Sequence, residues 1–219
     1  MVYLSIDASD FENSMKKAAI HHFIEYRFDN AVYSKAKIFK LIKLPEKAIA
    51  ACRPGYHDDE KRLEILENSI KAGAAYIDIE LESESVFRQD LLKPAQKAGC
   101  TSIISHHNIE CTPSIEELRY ILKKCFEAGA DIAKIACMAQ SADDAARMLS
   151  LYDNPARFFG KNRTFIAFSL GSEGRFTRVA SLLLGAPFTY AAFSENCKTA
   201  PGQMTIAAMK KLMNLFVIK

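Results

Sequence analysis

Eight short apolar runs recur along this chain, and most of them are separated by segments whose apolar residues fall at helical spacing. Strands that alternate with helices, without a long linker or a shift in composition, favour βαβ units and a parallel sheet. Eight such units in 219 residues predict a single (β/α)8 barrel domain over residues 1–219. The predicted strands are 2–6, 23–28, 48–52, 74–81, 101–107, 131–137, 164–170 and 188–193.

A doubly wound open sheet is the alternative architecture. It is disfavoured because no GxGxxG motif follows the first run and no GxxxxGK[ST] motif occurs in the sequence. Sheets of that kind commonly bind phosphate groups through such glycine-rich turns.

The sequence also predicts where one helix begins. Ser114 is a predicted N-cap, and Glu117 completes a capping box before the apolar positions of residues 115–125.

The composition narrows the classes of function. A net charge of +3 is too small to indicate nucleic-acid binding, and no apolar stretch approaches the length of a membrane span. The first residues lack the charged region and cleavage site of a signal peptide, so we expect a cytoplasmic protein. The six cysteines form no CxxC pair or metal-like cluster, which predicts free thiols and no metal site.

The functional signal lies in polar residues within or directly after the predicted strands. Side chains alternate between the two faces of a strand, so residues two apart share one face. In a barrel one of these faces points to the centre, and the strand C-termini build the active site. The residues placed there are Glu25, Arg27 and Asp29 on the second strand, Arg53 after the third, Asp78 and Glu80 on the fourth, Ser105 and His107 on the fifth, Lys134 on the sixth and Ser169 on the seventh.

Lys134 stands in the middle of the run GADIAKIACM. A buried ammonium group is costly, so this side chain must be paired, neutralised or extended to an opening. A lysine that apolar surroundings keep neutral is a nucleophile and forms a Schiff base with a ketone. A lysine that extends its ammonium group to solvent from the strand end is the simpler interpretation of this segment taken alone.

The other residues also have structural interpretations. Glu25 and Arg27 could form an ion pair that fills the barrel, and Asp78 and Glu80 could be interior partners of Arg53 or Lys134. His107 could be a hydrogen-bonded core histidine. Its neighbour His106 should face the opposite way and is interpreted as structural.

Several motifs in order resemble those of the type I 3-dehydroquinate dehydratases, the Schiff-base lyases of the shikimate pathway. The similarity extends over nearly the whole chain, from the first strand to Gln203. Together SxHxx…TP, ADxxKIA and APGQ are specific for this family. The motifs are IEYRFD (24–29), the strand ending in Arg53, YIDIEL (76–81), SIISHHN (102–108) followed by TP (112–113), GADIAKIA (129–136), SLGSEGRFTR (169–178) and TAPGQ (199–203).

The resemblance implies a (β/α)8 barrel that dehydrates 3-dehydroquinate to 3-dehydroshikimate in the biosynthesis of chorismate and aromatic amino acids. It implies a homodimer, and no external cofactor is needed. It assigns the Schiff-base lysine to Lys134 and the general acid/base to His107. Substrate binding falls on Glu25, Arg27, Arg53, Arg178, Thr199 and Gln203, with Asp78 and Glu80 in supporting roles. A guanidinium at Arg178 would suit the substrate carboxylate, because it can bind two oxygens at once.

The sequence departs from the family pattern at three places. Thr199 stands where the family often has serine, and Leu170 stands where many members have methionine. The loop after Arg53 reads PGYHDDE instead of an acidic residue with paired glycines. Whether His57, Asp58 or Asp59 replaces that acid stays open.

The residues also suit the chemistry of dehydration. A protonated imine on Lys134 would acidify the neighbouring carbon, and an imidazole at His107 could take the proton and return it to the departing hydroxyl. Glu80, Asp78 or Glu25 could orient the histidine.

Two alternative functions stay open. One is a class I Schiff-base aldolase, whose phosphorylated substrates need a phosphate-binding loop after the last strands. The other is a barrel that binds a metabolite without catalysis.

Overall fold

The structure is a computed structural model and describes residues 1–216; residues 217–219 of the predicted domain lie outside the described residues. The strands are β1 (Val2–Asp7), β2 (Phe23–Arg27), β3 (Lys47–Ala51), β4 (Tyr76–Glu80), β5 (Thr101–Asn108), β6 (Ile132–Met138), β7 (Thr164–Leu170) and β8 (Thr189–Ala191). The helices are α1 (Phe11–Ala18), α2 (Lys35–Lys43), α3 (Asp59–Ala72), α4 (Ser85–Ala98), α5 (Ile115–Glu127), α6 (Ala142–Leu149), α7 (Pro155–Phe159), α8 (Thr177–Leu183) and α9 (Ile206–Leu215).

The strand order confirms the predicted fold class. Along the sheet the strands follow the order β7-β6-β5-β4-β3-β2-β1-β8, so β1 to β7 follow one another in sequence order and β8 lies beside β1. The pairs β1–β2, β2–β3, β3–β4 and β6–β7 are parallel. This regular succession of strand and helix is that of a (β/α)8 barrel, whereas a doubly wound sheet would reverse its strand order part-way.

Two compact units make up the described chain. The first contains Leu4–Ile103, and the second contains residues 1–3 together with the described residues from 104 onward. The first therefore carries β2–β4 with α1–α4, and the second carries β6–β8 with α5–α9. No helix within residues 1–216 is long and apolar enough to cross a membrane.

The bounds of all eight predicted strands agree with the observed ones to within two residues. The run 164–170 matches β7, whereas the run 188–193 contains only the three-residue strand β8. The chain leaves the sheet at Ala192, whose amide donates to the carbonyl of Met204 at 2.8 Å and whose carbonyl accepts from the amide of Ile206 at 2.8 Å. Helix α7 was not predicted, because five residues are too few to show a helical period.

Side-chain caps fix several helix starts. The predicted cap at Ser114 is confirmed, since its hydroxyl accepts a hydrogen bond from the amide of Glu117 at 3.2 Å. Such a cap satisfies one of the amide groups that have no partner inside the helix. The same type of bond begins α1, α3, α6 and α9, at Asp10, Asp58, Ser141 and Thr205.

Arg62 is the largest fully buried side chain of the first unit. From α3 its guanidinium donates to the carbonyl of Cys52 at 3.2 Å and to the hydroxyl of Ser83 at 3.3 Å, and it forms an ion pair with Asp59. Its Cζ also lies 4.5 Å from the ring centroid of Phe87. Arg62 thus joins α3 to the residue after β3, to the turn after β4 and to α4.

We expect Arg62→Met to lower the free energy of unfolding by about 2–4 kcal/mol, because it leaves buried polar groups without their charged partner. Urea unfolding followed by circular dichroism measures the change. Lys71→Met on the same helix is the control; it removes an exposed ion pair with Glu67 and should cost about 0.5 kcal/mol or less. Equal losses in the two variants would contradict this role for Arg62.

Candidate active site

Lys134 lies in the middle of β6 and is 2% exposed. The register with β7 pairs it with Ile166, so Lys134, Ile166 and Phe168 are on the same face of the two strands. Its Nζ lies 4.7 Å from the ring centroid of Tyr190 on β8. The face of an aromatic ring attracts a cation, and this contact is one source of stabilisation for the buried ammonium group.

Arg178 is the second buried cation of this unit and is 1% exposed. It belongs to α8, and its Cζ lies 4.2 Å from the ring centroid of Phe168. The rings of Phe168 and Tyr190 are 6.1 Å apart. The four side chains therefore form a continuous series from the lysine through two aromatic rings to the arginine.

The turn between β7 and α8 places Arg178. The hydroxyl of Thr177 accepts from the amide of Ser169 at 2.7 Å and donates to the carbonyl of Gly174 at 2.6 Å. A Cβ on Gly174 would stand 2.2 Å from the Cβ of Ser169, so only glycine fits there. This tight turn returns the chain directly from the end of β7 to the first residues of α8.

The loop of residues 199–203 packs against the same turn. The carbonyl of Pro201 accepts from the amide of Gly171 at 3.3 Å and from the guanidinium of Arg178 at 3.5 Å. Gly202 has φ +69°, and a Cβ there would lie 2.0 Å from the carbonyl oxygen of Gly171. The two loops thus touch backbone to backbone, with no space for a side chain between them.

Gln203 is 1% exposed at the end of this loop. Its Oε1 accepts from the backbone amide of Thr199 at 2.9 Å and from the hydroxyl of Thr199 at 3.2 Å. Two of the predicted substrate-binding residues are therefore bonded to each other. Either hydroxyl residue, threonine or serine, could make the second of these bonds.

His107 lies near the end of β5, in the same unit as Lys134. Both His106 and His107 are half-buried, so burial alone does not distinguish the predicted inward and outward faces. The segment after β5 is joined to β6, because the hydroxyl of Thr112 donates to the carbonyl of Met138 at 2.7 Å. This bond fixes the TP motif beside the end of the lysine strand.

The first unit holds the remaining charged residues. The register pairs Arg27 with Ala51 and Ala51 with Asp78, so Glu25, Arg27, Asp78 and Glu80 share one face, as the period of two predicts. Glu25 accepts a hydrogen bond from the hydroxyl of Ser5. All three carboxylates among these residues are buried.

Arg27 and Asp29 form a close ion pair. Burial acts to lower the pKa of Arg27, but the carboxylates of Asp29, Glu25 and Asp78 outweigh this effect and raise that pKa above its ordinary value. The ion-pair partner of Arg27 is therefore Asp29, whereas the sequence offered Glu25 for that role.

Arg53 follows β3 and contacts two carboxylates. Its Nε lies 3.5 Å from Glu80, and its backbone amide donates to Asp29 at 2.9 Å. The ion pair with Glu80 is one of the pairings that the sequence left open. Glu80 is thus a structural partner of Arg53 within this unit.

The loop after Arg53 uses its two aspartates to begin α3. Asp58 is the N-cap and accepts from the amide of Lys61 at 2.8 Å, while Asp59 pairs with Arg62. His57 is half-buried, and its Nε2 has no hydrogen-bond partner within residues 1–216. Both aspartates therefore have a local structural role.

Within the described residues, neither the cysteines nor the potential metal ligands form another candidate site. All six cysteines are free, and burial raises the pKa of Cys52 and of Cys137 to about 12 in each case. Among residues 1–216 no group of three or more histidine, cysteine, aspartate or glutamate side chains is arranged to hold a metal ion.

Comparison with known families decides the assignment. The model of the type I 3-dehydroquinase family matches residues 7–219. The chain belongs to the type I 3-dehydroquinase family. The residues of the buried series in β6, β7, β8 and α8, and the loop of residues 199–203, all fall within this match.

Named relatives extend this result. The 3-dehydroquinate dehydratase of Methanococcus maripaludis is 34% identical over 220 residues, which cover 95% of each chain. That of Syntrophobacter fumaroxidans is 36% identical over 157 residues, which cover 72% of this chain but only 64% of the relative, less than two thirds of its length. The crystal structure of the 3-dehydroquinate dehydratase from Aquifex aeolicus is 28% identical, covers 100% of both chains and has a TM-score of 0.81.

Two aromatic residues of the site were missed by the sequence reasoning. Phe168 and Tyr190 were interpreted only as apolar members of predicted strands, yet they contact Arg178 and Lys134. Phe168 shares the face of Lys134 because it is two residues after Ile166, the partner of Lys134 in the register. The pairing of strands that reveals it is not visible in a single sequence.

Substitution of Gly202 tests the packing of the two loops. Gly202→Ala should lower the free energy of unfolding by at least about 3 kcal/mol, because the left-handed φ and the clash with Gly171 add. Gly185→Ala is the control, since it has φ +110° with no atom within 4 Å of the added Cβ, and it should cost about 1–2 kcal/mol. Urea unfolding measures both, and a smaller loss for Gly202→Ala than for Gly185→Ala would refute the close approach.

Proposed function

We propose that this chain is a 3-dehydroquinate dehydratase, a lyase that removes water from 3-dehydroquinate to give 3-dehydroshikimate. The observation that carries the proposal is the buried Lys134, placed on the ring of Tyr190 in a series that ends at the guanidinium of Arg178. Membership of the type I 3-dehydroquinase family and the names of the relatives support the same substrate.

In this proposal the Nζ of Lys134 attacks the ketone carbon of the substrate as a neutral amine, and the resulting carbinolamine takes up a proton and loses water to form an iminium ion. The positive nitrogen draws electrons from the adjacent carbon and so acidifies its proton. After the proton and the β-hydroxyl group have left, hydrolysis of the imine releases the product and restores the amine. The strand holds the lysine in a fixed direction, which reduces the entropy cost of this attack.

His107 is the proposed general acid/base. An imidazole near neutral pH can accept the α-proton and then donate a proton to the departing hydroxyl, which leaves as water. Asp78, Glu80 or Glu25 would orient the imidazole. Glu80 already pairs with Arg53, and Glu25 accepts a hydrogen bond from Ser5. Either carboxylate would therefore have to accept a hydrogen bond from the imidazole in addition to its present partner.

Arg178 is the proposed binding residue for the substrate carboxylate, because a guanidinium can donate two parallel hydrogen bonds to one carboxylate. Its stacking on Phe168 limits the freedom of the group before the substrate arrives. The further proposed substrate-binding residues, carried over from the family resemblance, are Glu25, Arg27, Arg53, Thr199 and Gln203, with Asp78 and Glu80 in support.

The organisation of the chain as one barrel domain, a homodimeric state and a cytoplasmic location stay predictions. So does the absence of an external cofactor, which the proposed chemistry does not need. Each rests on the sequence and on the resemblance to the family.

Borohydride reduction in the presence of 3-dehydroquinate tests the reaction. We expect a stable adduct on the peptide that contains Lys134, because reduction converts the imine to a secondary amine. The protein is digested and the peptides are mapped by mass spectrometry. Lys134→Met, which keeps the apolar stem, should show no adduct and lose turnover by at least about a thousandfold, since both the nucleophile and the iminium ion are removed.

Lys124→Met is the control, because Lys124 is an exposed lysine on α5 and its loss should change turnover less than twofold. An adduct formed with sugar phosphates, but not with 3-dehydroquinate, would replace the proposal by the aldolase alternative. Turnover without any adduct would exclude the Schiff base.

The adjacent histidines provide a matched pair for the proton-transfer step. His107→Ala should reduce kcat by about a hundredfold or more and flatten the pH profile of kcat/KM, while His106→Ala keeps the profile of the unsubstituted chain. Steady-state rates between pH 5 and 9 measure both. A larger loss of kcat for His106→Ala would exchange the roles of the two residues.

A further inference from the structure

A cluster of arginines and phenylalanine rings lies at the opposite end of the strands from the candidate active site. It is built from the end of α5, from α7 and from Arg163, which directly precedes β7. By contrast, Ser169 and Arg178 stand at and beyond the end of β7. In a βα repeat, a helix end and the start of the next strand share the face away from the strand C-termini.

Three phenylalanine rings form the apolar wall of this cluster. Phe159 has its ring centroid 6.0 Å from that of Phe126 and 6.3 Å from that of Phe158. Beside the rings is a cavity of about 210 Å³. Its lining residues are Lys123, Phe126, Glu127, Phe158, Phe159 and Arg163.

Guanidinium groups lie on these rings. The Cζ of Arg163 is 5.0 Å from the centroid of Phe126, and the Cζ of Arg119 is 3.8 Å from that of Phe158. Arg157 lies 5.7 Å from the same ring of Phe158. Within residues 1–216 none of these three arginines forms an ion pair or a side-chain hydrogen bond. Stacking uses the face of a guanidinium and leaves its N–H groups at the edge, directed in the plane where a carboxylate binds.

The single carboxylate in the lining does not cancel this charge. Glu127 accepts a hydrogen bond from Lys124 at 2.8 Å and lies 3.8 Å from Lys123. The hydrogen bond to Lys124 is the main cause that lowers the pKa of Glu127. Lys124 already balances the charge of Glu127, so Lys123 and the three arginines leave an excess of positive charge at the cavity.

We propose that this cavity binds a small aromatic carboxylate, a ligand class distinct from the substrate of the catalytic site. The aromatic ring would pack against Phe126, Phe158 and Phe159, and the carboxylate would accept hydrogen bonds from Arg163 and Lys123. An inorganic anion would leave the phenylalanine wall unused, and a neutral ring would leave the cationic edge without a partner. The volume lies below the roughly 300 Å³ at which drug-sized ligand pockets begin, which restricts the ligand to about one ring.

Benzoate is the probe, and the NMR signal of the guanidinium Nε–H group of Arg163 reports its binding. The full chain is labelled with ¹⁵N-arginine, and the Nε–H signal of Arg163 is assigned by its loss in Arg163→Gln. We expect this signal to shift with a saturable curve at millimolar benzoate. Because the reporter is inside the proposed site, binding of benzoate at the catalytic arginine does not imitate the result.

Two lysine variants with the same change of charge provide the comparison. Lys123→Gln, at the cavity lining, should weaken benzoate binding about fivefold through loss of one charged donor. Lys161→Gln, two residues from Arg163 and outside the lining, should change it less than twofold. Phe158→Leu, which keeps apolar bulk but removes the ring, should weaken binding about threefold.

Four outcomes would overturn the proposal. These are no saturable shift at Arg163, an equally large saturable shift with acetate or inorganic phosphate, equal weakening by Lys123→Gln and Lys161→Gln, or a shift that depends on protein concentration alone. The last result, with sedimentation showing a second copy of the chain and its loss in Phe158→Leu, would identify the cluster as an interface. None of these results depends on the dehydratase activity.

Discussion

The burial of Lys134 within an apolar strand is the constraint on which the second unit is organised. An ammonium group removed from water loses several kcal/mol of hydration unless other groups replace it. The ring of Tyr190 supplies part of this replacement, and it requires β8 to stand at a fixed distance from β6. Directly after β8 the chain turns away at Ala192, and the loop of residues 199–203 reaches the end of β7.

Carboxylates and aromatic rings both stabilise the cations of this chain. In residues 4–103 Arg27 pairs with Asp29 and Arg53 with Glu80, while the fully buried Arg62 pairs with Asp59 and also lies against the ring of Phe87. In the second unit Lys134 and Arg178 lie against aromatic rings. A carboxylate partner neutralises a cation, whereas a ring attracts it without cancelling its charge.

The sequence predicted much of the fold because its apolar runs have the lengths and spacing of strands in a βα repeat. It also placed Glu25 and Arg27 on one face of their strand, and Asp78 and Glu80 on one face of theirs, since those statements need only the period of two. The contacts of Phe168 and Tyr190 could not be predicted from the sequence, because they depend on strand register and on distances between elements. The loop after Arg53 was ambiguous for a related reason: an aspartate that begins a helix and one that binds a ligand are the same residue in a sequence, and only the bonds of Asp58 and Asp59 distinguish them.

The contact between Gly202 and Gly171 has a consequence for how this site could change during evolution. Two loops that meet through their backbones cannot be lengthened or given side chains at the junction independently of each other. Altered specificity would therefore arise by exchange of the residues that flank the junction, such as Thr199 or Gln203, while the path of both loops is retained. The junction divides the site into positions that are free to vary and a backbone frame that is not.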